Sequence, residues 1–219
     1  MKRTLALAAL ALGVAALACN EVSAPARANR YEWRLFAANP QGGTDTLSFH
    51  WPAGQVVRIW AEDSLDLATH VQNGIAAWQD ALLYNELQAE LVSDSSSADI
   101  IVRAGFPPKQ FERMRLGSYF APECSGATDL DVSDDHTELT LPIHSYIAPK
   151  GLELTPAAIE CIDLTTTHEL GHAFGIMQHA PDPADLMYGD PVVTAPSEAD
   201  RETLQAVYHF PPTMTLVRH

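Results

Sequence analysis

His168-Glu169-Leu170-Gly171-His172-Ala173-Phe174-Gly175 closes a run that opens at Thr155-Pro156, and its reading decides the fold. A Thr hydroxyl caps a helix N-terminus, and Pro suits the first helical position because its missing N–H would have no partner there. The helical pattern runs to Phe174, and Gly175 stops it. On such a helix His168 and His172 lie one turn apart on one face. Two imidazoles so placed can hold one metal ion, and Glu169 beside them can take a proton from a metal-activated water. Gly175 permits the left-handed turn that reverses the chain, so a third ligand beyond the helix, His179, can approach the same ion. Three nitrogens leave the fourth position open, as a catalytic zinc requires.

Upstream of this helix the chain reads as strand, helix, strand, strand. Residues 55–61 are rich in β-branched residues and follow Pro52-Ala53-Gly54, the pattern of a strand. Asp63 and Ser64 offer N-caps to a helix of about five turns whose buried stripe is Leu67, Val71, Ile75, Trp78 and Leu82. Residues 87–92 and 99–102 read as two further strands. Residues 103–135, with Pro107-Pro108, Gly117, Pro122 and Gly126, read as irregular. Residues 138–143 read as another strand, and Pro142 places it at an edge or at its end. Ser197 and Asp200 begin a last helix with Leu204, Val207 and Tyr208 inward, ended by Pro211-Pro212. The expectation is an α+β fold, a mixed twisted sheet backed by two long helices with a small C-terminal subdomain.

The N-terminus reads as an address. Met1-Lys2-Arg3 is basic, and residues 4–18 are Ala/Leu-rich, uncharged and too short for a permanent membrane span. Ala16-Leu17-Ala18-Cys19 is similar to the bacterial lipoprotein box, which implies cleavage before Cys19 and acylation of its thiol. Ordinary cleavage, for instance after Ala24-Pro25-Ala26, is the alternative. The expected division is an export signal at 1–18, a tether at 19–46 and one domain at 47–219. Tyr31, Trp33, Leu35 and Phe36 offer the tether apolar points of docking. The protein is then a cell-envelope lipoprotein or a secreted one. Cys124 and Cys161 remain, and an even remainder in an oxidising compartment suggests one disulfide, with two free thiols as the alternative.

The 219 residues carry 28 Asp+Glu against 13 Lys+Arg, a net charge of −15, with 47% apolar residues. That composition is globular. Its negative charge opposes nucleic-acid binding, and any membrane association falls to the N-terminal anchor. The expected partner is a protein or peptide substrate, met by a monomer.

From the residues 168–188 the chain resembles the metzincin zinc peptidases, closest to the matrixin branch, whose pattern is H-E-x-x-H-x-x-G-x-x-H followed by a Met-containing turn. His168, Glu169, His172 and Gly175 match; Gln178 stands where the third His is expected, and His179 follows one residue late. Asp182-Pro183-Ala184-Asp185-Leu186-Met187-Tyr188 is similar to the matrixin Met-turn, and His179 keeps its usual distance from Met187. The resemblance therefore implies one inserted residue, with His168, His172 and His179 binding Zn2+, Glu169 as general base and Met187 packing beneath the metal. Asp185 is the alternative third ligand. Asp129, Asp131, Asp134, Asp135 and Glu138 offer hard oxygens to Ca2+, or form a solvated loop. His136 and His144 read as surface histidines rather than ligands of a second zinc.

The implied activity is that of a zinc endopeptidase whose peptide substrate adds along a sheet edge within 117–143. Two rivals are a zinc-stabilised surface protein with a degenerate site, and a binding lipoprotein in which the helix is only core.

Overall fold

The computed structural model describes residues 29–39, 42–109, 114–121, 123–151 and 153–218. The expected export signal, Cys19 and the first part of the tether lie outside them. The described part of the tether is docked: Trp33 is buried, Leu35 packs partly against the core, and Phe36 is exposed. It forms a hairpin of β1 (Leu35–Ala38) and β2 (Thr44–Leu47).

The main sheet is mixed. It contains β3 (Val56–Ala61), β4 (Gln88–Leu91), β5 (Ile100–Ala104), β6 (Met114–Phe120), β7 (Cys124–Val132), β8 (Glu138–Pro149) and β9 (Thr215–Arg218). The order is β4-β3-β5-β8-β7-β6, with β9 pairing one end of β8. β3, β4, β5, β8 and β9 pair in parallel, whereas β7 is antiparallel to both of its neighbours. Ile100-Ile101-Val102 is buried throughout, the uninterrupted apolar run expected of a strand covered on both faces.

Two expectations are corrected here. Residues 103–135 are not irregular, since they supply β6 and β7. The small residues of β7, Ser125-Gly126-Ala127-Thr128, carry no alternating apolar signal, yet they are buried because a helix lies close against them. Nor is the strand at 138 an edge. β8 runs through Pro142 to Pro149 and is flanked by β5 and β7. Proline is tolerated because it stands at a changeover: β9 pairs Glu138 to Leu141, β5 pairs Ile143 to Ile147, and the β7 ladder shifts register beside it.

Among the described residues there are three α-helices: α1 (Leu67–Gln79), α2 (Pro156–Ala173) and α3 (Glu198–His209). α1 packs over β3, β4 and β5, and α2 packs over β7 and β8. The helices approach closely where Gly74 faces α2; a Cβ there would stand 2.7 Å from the Leu170 side chain. Trp78 Nε1 donates to the Thr167 carbonyl at 2.8 Å, and Trp51 Nε1 to that of Ala173 at 3.0 Å, so two buried indoles orient α2. α1 does not use the caps offered by Asp63 and Ser64. Leu65 and Asp66, at φ 56° and 54°, turn the chain into the helix instead. α2 begins as expected, with the Thr155 hydroxyl accepting from Ala158 N and Pro156 first in the helix. α3 opens on a reciprocal capping box between Ser197 and Asp200.

A disulfide joins Cys124 at the start of β7 to Cys161 in α2, with Cα atoms 6.0 Å apart. It fastens the strand to the helix that carries the histidines.

Candidate metal centre

α2 places His168 and His172 side by side, their ring centroids 4.8 Å apart and nearly perpendicular. Gly175 then adopts φ 116°, and a Cβ there would stand 2.5 Å from the Phe49 carbonyl oxygen. A non-glycine residue would be both strained and in collision. The turn returns the chain so that the His179 ring lies 5.2 Å from each of the other two. One ligand atom from each of the three histidines lies within 4.8 Å of the others.

Gln178 does not keep His179 from the cluster. Gln178 turns away and donates through Nε2 to the Arg34 carbonyl at 2.8 Å, which ties the loop to the N-terminal segment. Asp185, the alternative ligand, stands outside the cluster and accepts from the Ser197 hydroxyl at 2.6 Å.

Backbone carbonyls set the ring tautomers. His168 Nδ1 donates to Leu186 O at 2.7 Å, and His172 Nδ1 to Ile176 O at 2.6 Å. Each bond leaves Nε2 as the ligand atom. Burial lowers the pKa of all three rings, and neighbouring imidazoles add to the fall at His168, which reaches about 3, and at His172. The rings are therefore neutral at ordinary pH. His172 Nε2 and His179 Nε2 are buried with no hydrogen-bond partner. Buried polar atoms of that kind are costly unless something binds them, and three neutral imidazole nitrogens converging on one point suit a divalent metal ion. The residues present fit the ion that the motif implies.

Glu169 lies beside the cluster and is fully buried. Thr128 of β7 donates to its Oε2 at 2.7 Å, and its Oε1 has no hydrogen-bond partner. Burial raises the carboxyl from near 4.5 to about 8 in the metal-free protein, with Asp129 adding to the rise and the Thr128 hydrogen bond opposing it.

Met187 packs beneath the helix. A Cβ on Gly171, between the two helical histidines, would stand 2.4 Å from its sulfur. The loop carrying Met187 is held by Asp200, whose carboxylate accepts from Leu186 N at 2.7 Å and Met187 N at 3.3 Å. The same buried carboxylate accepts from Ser197 N and from the Tyr31 hydroxyl. Sequence reasoning gave Asp200 only a helix-starting role. Its place three residues after an N-cap Ser was the available signal, but what else it binds depends on distant segments. Thr128 and Gly126 were missed because their stretch carried no recognisable pattern.

The acidic stretch does not assemble an oxygen cage. Asp129 is paired with Arg115 at 2.6 Å, and Asp135 accepts from the Ser133 and Thr137 hydroxyls. Among the described residues the three histidines are the one group of three or more His, Cys, Asp or Glu placed to hold an ion. His136 is paired with Asp45 and lies outside the histidine cluster. No protein-family model matches the chain, and no curated protein matches it.

Proposed function

We propose that the chain is a zinc endopeptidase of metzincin type. The observation that carries the reading is one buried carboxylate, Glu169, beside three converging neutral imidazoles, with one of its oxygens left without a partner. Zinc held by His168, His172 and His179 would supply Lewis acidity to the scissile carbonyl and the attacking water. Glu169 accepts the proton of that water at Oε1 and returns it to the leaving amine. The Thr128 hydroxyl holds Oε2 meanwhile. Met187 and the Asp200-bound loop form the floor that keeps the histidines in register.

The substrate is an extended peptide. Among the described residues the open edge on this side of the sheet is β6, since β7 is paired on both sides. A peptide adding there would extend the sheet by main-chain hydrogen bonds. The N-terminal pattern further suggests an exported protein, anchored through Cys19 and acting as a monomer.

The test is metal analysis of the purified protein together with a casein-type cleavage assay. One zinc per chain, with cleavage that stops on chelation and returns with zinc, is the expected result. One zinc with no cleavage points to the degenerate-site surface protein, and no stoichiometric metal to a binding lipoprotein.

A further inference from the structure

We propose that Thr128 is a positioning residue for Glu169, itself aligned by Ser145 and given room by Gly126; the inference rests on the peptidase reading. All three residues lie in β7 and β8, outside the His-Glu motif. Thr128 and Ser145 are cross-strand partners. Their hydroxyl oxygens are 3.0 Å apart, and both residues are buried.

The direction of the chain of hydrogen bonds follows from counting protons. A hydroxyl has one proton to give and two lone pairs to receive. The Thr128 oxygen lies 2.7 Å from Glu169 Oε2 and 3.3 Å from the Glu169 backbone carbonyl, so the single proton goes to the nearer carboxylate oxygen. Ser145 must then donate to Thr128. The file Ser145 to Thr128 to Glu169 Oε2 fixes one carboxylate oxygen as an acceptor and leaves Oε1 as the one open to a reacting proton.

Gly126 sets the carboxylate from the other side. A Cβ at that position would stand 2.4 Å from Glu169 Oε1 and 2.9 Å from its Cγ. The strand can lie against the catalytic carboxylate only because residue 126 has no side chain. The disulfide at Cys124, two residues before Gly126, holds this part of β7 against α2.

The test compares Thr128→Val, which keeps the shape and loses the hydroxyl, with Thr128→Ser, which keeps the hydroxyl. With zinc content and thermal midpoint equal to the parent, Thr128→Val should lose about 10- to 100-fold in kcat with KM little changed. Thr128→Ser should stay within about threefold of the parent, because hydrogen bonding, not shape, carries the role. A second readout needs no turnover. A slowly exchanging Thr128 hydroxyl proton, seen by NMR in the zinc-loaded protein, should vanish in Glu169→Ala. A parent enzyme that cleaves while Thr128→Val cleaves equally well overturns the inference alone. So does a Thr128→Ser variant as impaired as Thr128→Val, or a hydroxyl proton that exchanges freely in the parent. A parent with no chelator-sensitive cleavage overturns the peptidase reading first, and this one with it.

Discussion

Two buried carboxylates, Asp99 and Glu169, are treated in opposite ways. Asp99, before β5, accepts from Arg58 N at 2.8 Å and from the Arg58 guanidinium at 3.2 and 3.3 Å, and it also binds Arg218 of β9. Burial alone would raise its pKa, but these hydrogen bonds outweigh it and hold the carboxyl below its usual range. Glu169 has one hydroxyl partner and, among the described residues, one oxygen with none. The first carboxylate fastens three strands. The second is left under-satisfied, which is costly for stability and useful only if something else comes to the site.

The largest effect that would sharpen this contrast is at Glu169. Glu169→Gln should lower kcat by about 10³-fold or more while one zinc remains bound, as measured by metal analysis beside the cleavage assay. Equal cleavage by the variant would erase the distinction between the two carboxylates. Next is the fastening that keeps β7 against Glu169. Replacing Cys124 and Cys161 by Ser opens a link of sequence separation 37. Chain entropy puts the loss at about 4 kcal/mol, read by urea unfolding. Asp99→Ala should cost about 2 kcal/mol in the same measurement and leave the activity per folded molecule unchanged. Its arginines reach solvent and so avoid the full penalty of an unpaired buried charge.

The last contrast is one of sign, in the pH dependence of the metal-free protein. The folded-state pKa of Glu169 is about 8, above its ordinary value, so the folded chain binds more protons there than the unfolded one. Its contribution is present at low pH and is lost as pH rises from about 4.5 towards 8. Stability of the parent relative to Glu169→Gln should therefore fall across that window. Asp99 has the reverse sign: its depressed pKa contributes stability above about 3.8 that is lost as pH falls through the folded value. Asp99→Ala should flatten the acid limb and leave the slope through the neutral range unchanged, at a lower overall stability.

Much of this was legible in the chain because it is local. Thr155-Pro156 and Gly175 bound α2, and the i, i+4 spacing puts His168 and His172 on one face whatever the rest of the fold does. His179 was legible at one remove, since a loop that begins with a left-handed glycine has slack for one extra residue. β7 was not legible. Ser125, Gly126, Ala127 and Thr128 are chosen for closeness to α2, and closeness leaves no hydrophobic period. Pro142 misled for a related reason: whether a missing N–H matters depends on which neighbour strand faces it, and that is settled by residues 215–218 and 100–104. The start of α1 was misread because two left-handed residues did the work expected of a polar cap.

The Asp200 carboxylate gives the molecule a mechanical property. It grips Tyr31 with one oxygen while both oxygens hold the peptide that leads to Met187. The segment around Tyr31 is thus moored both to α3, through Thr203, and to the support beneath the histidine cluster, through one shared anchor.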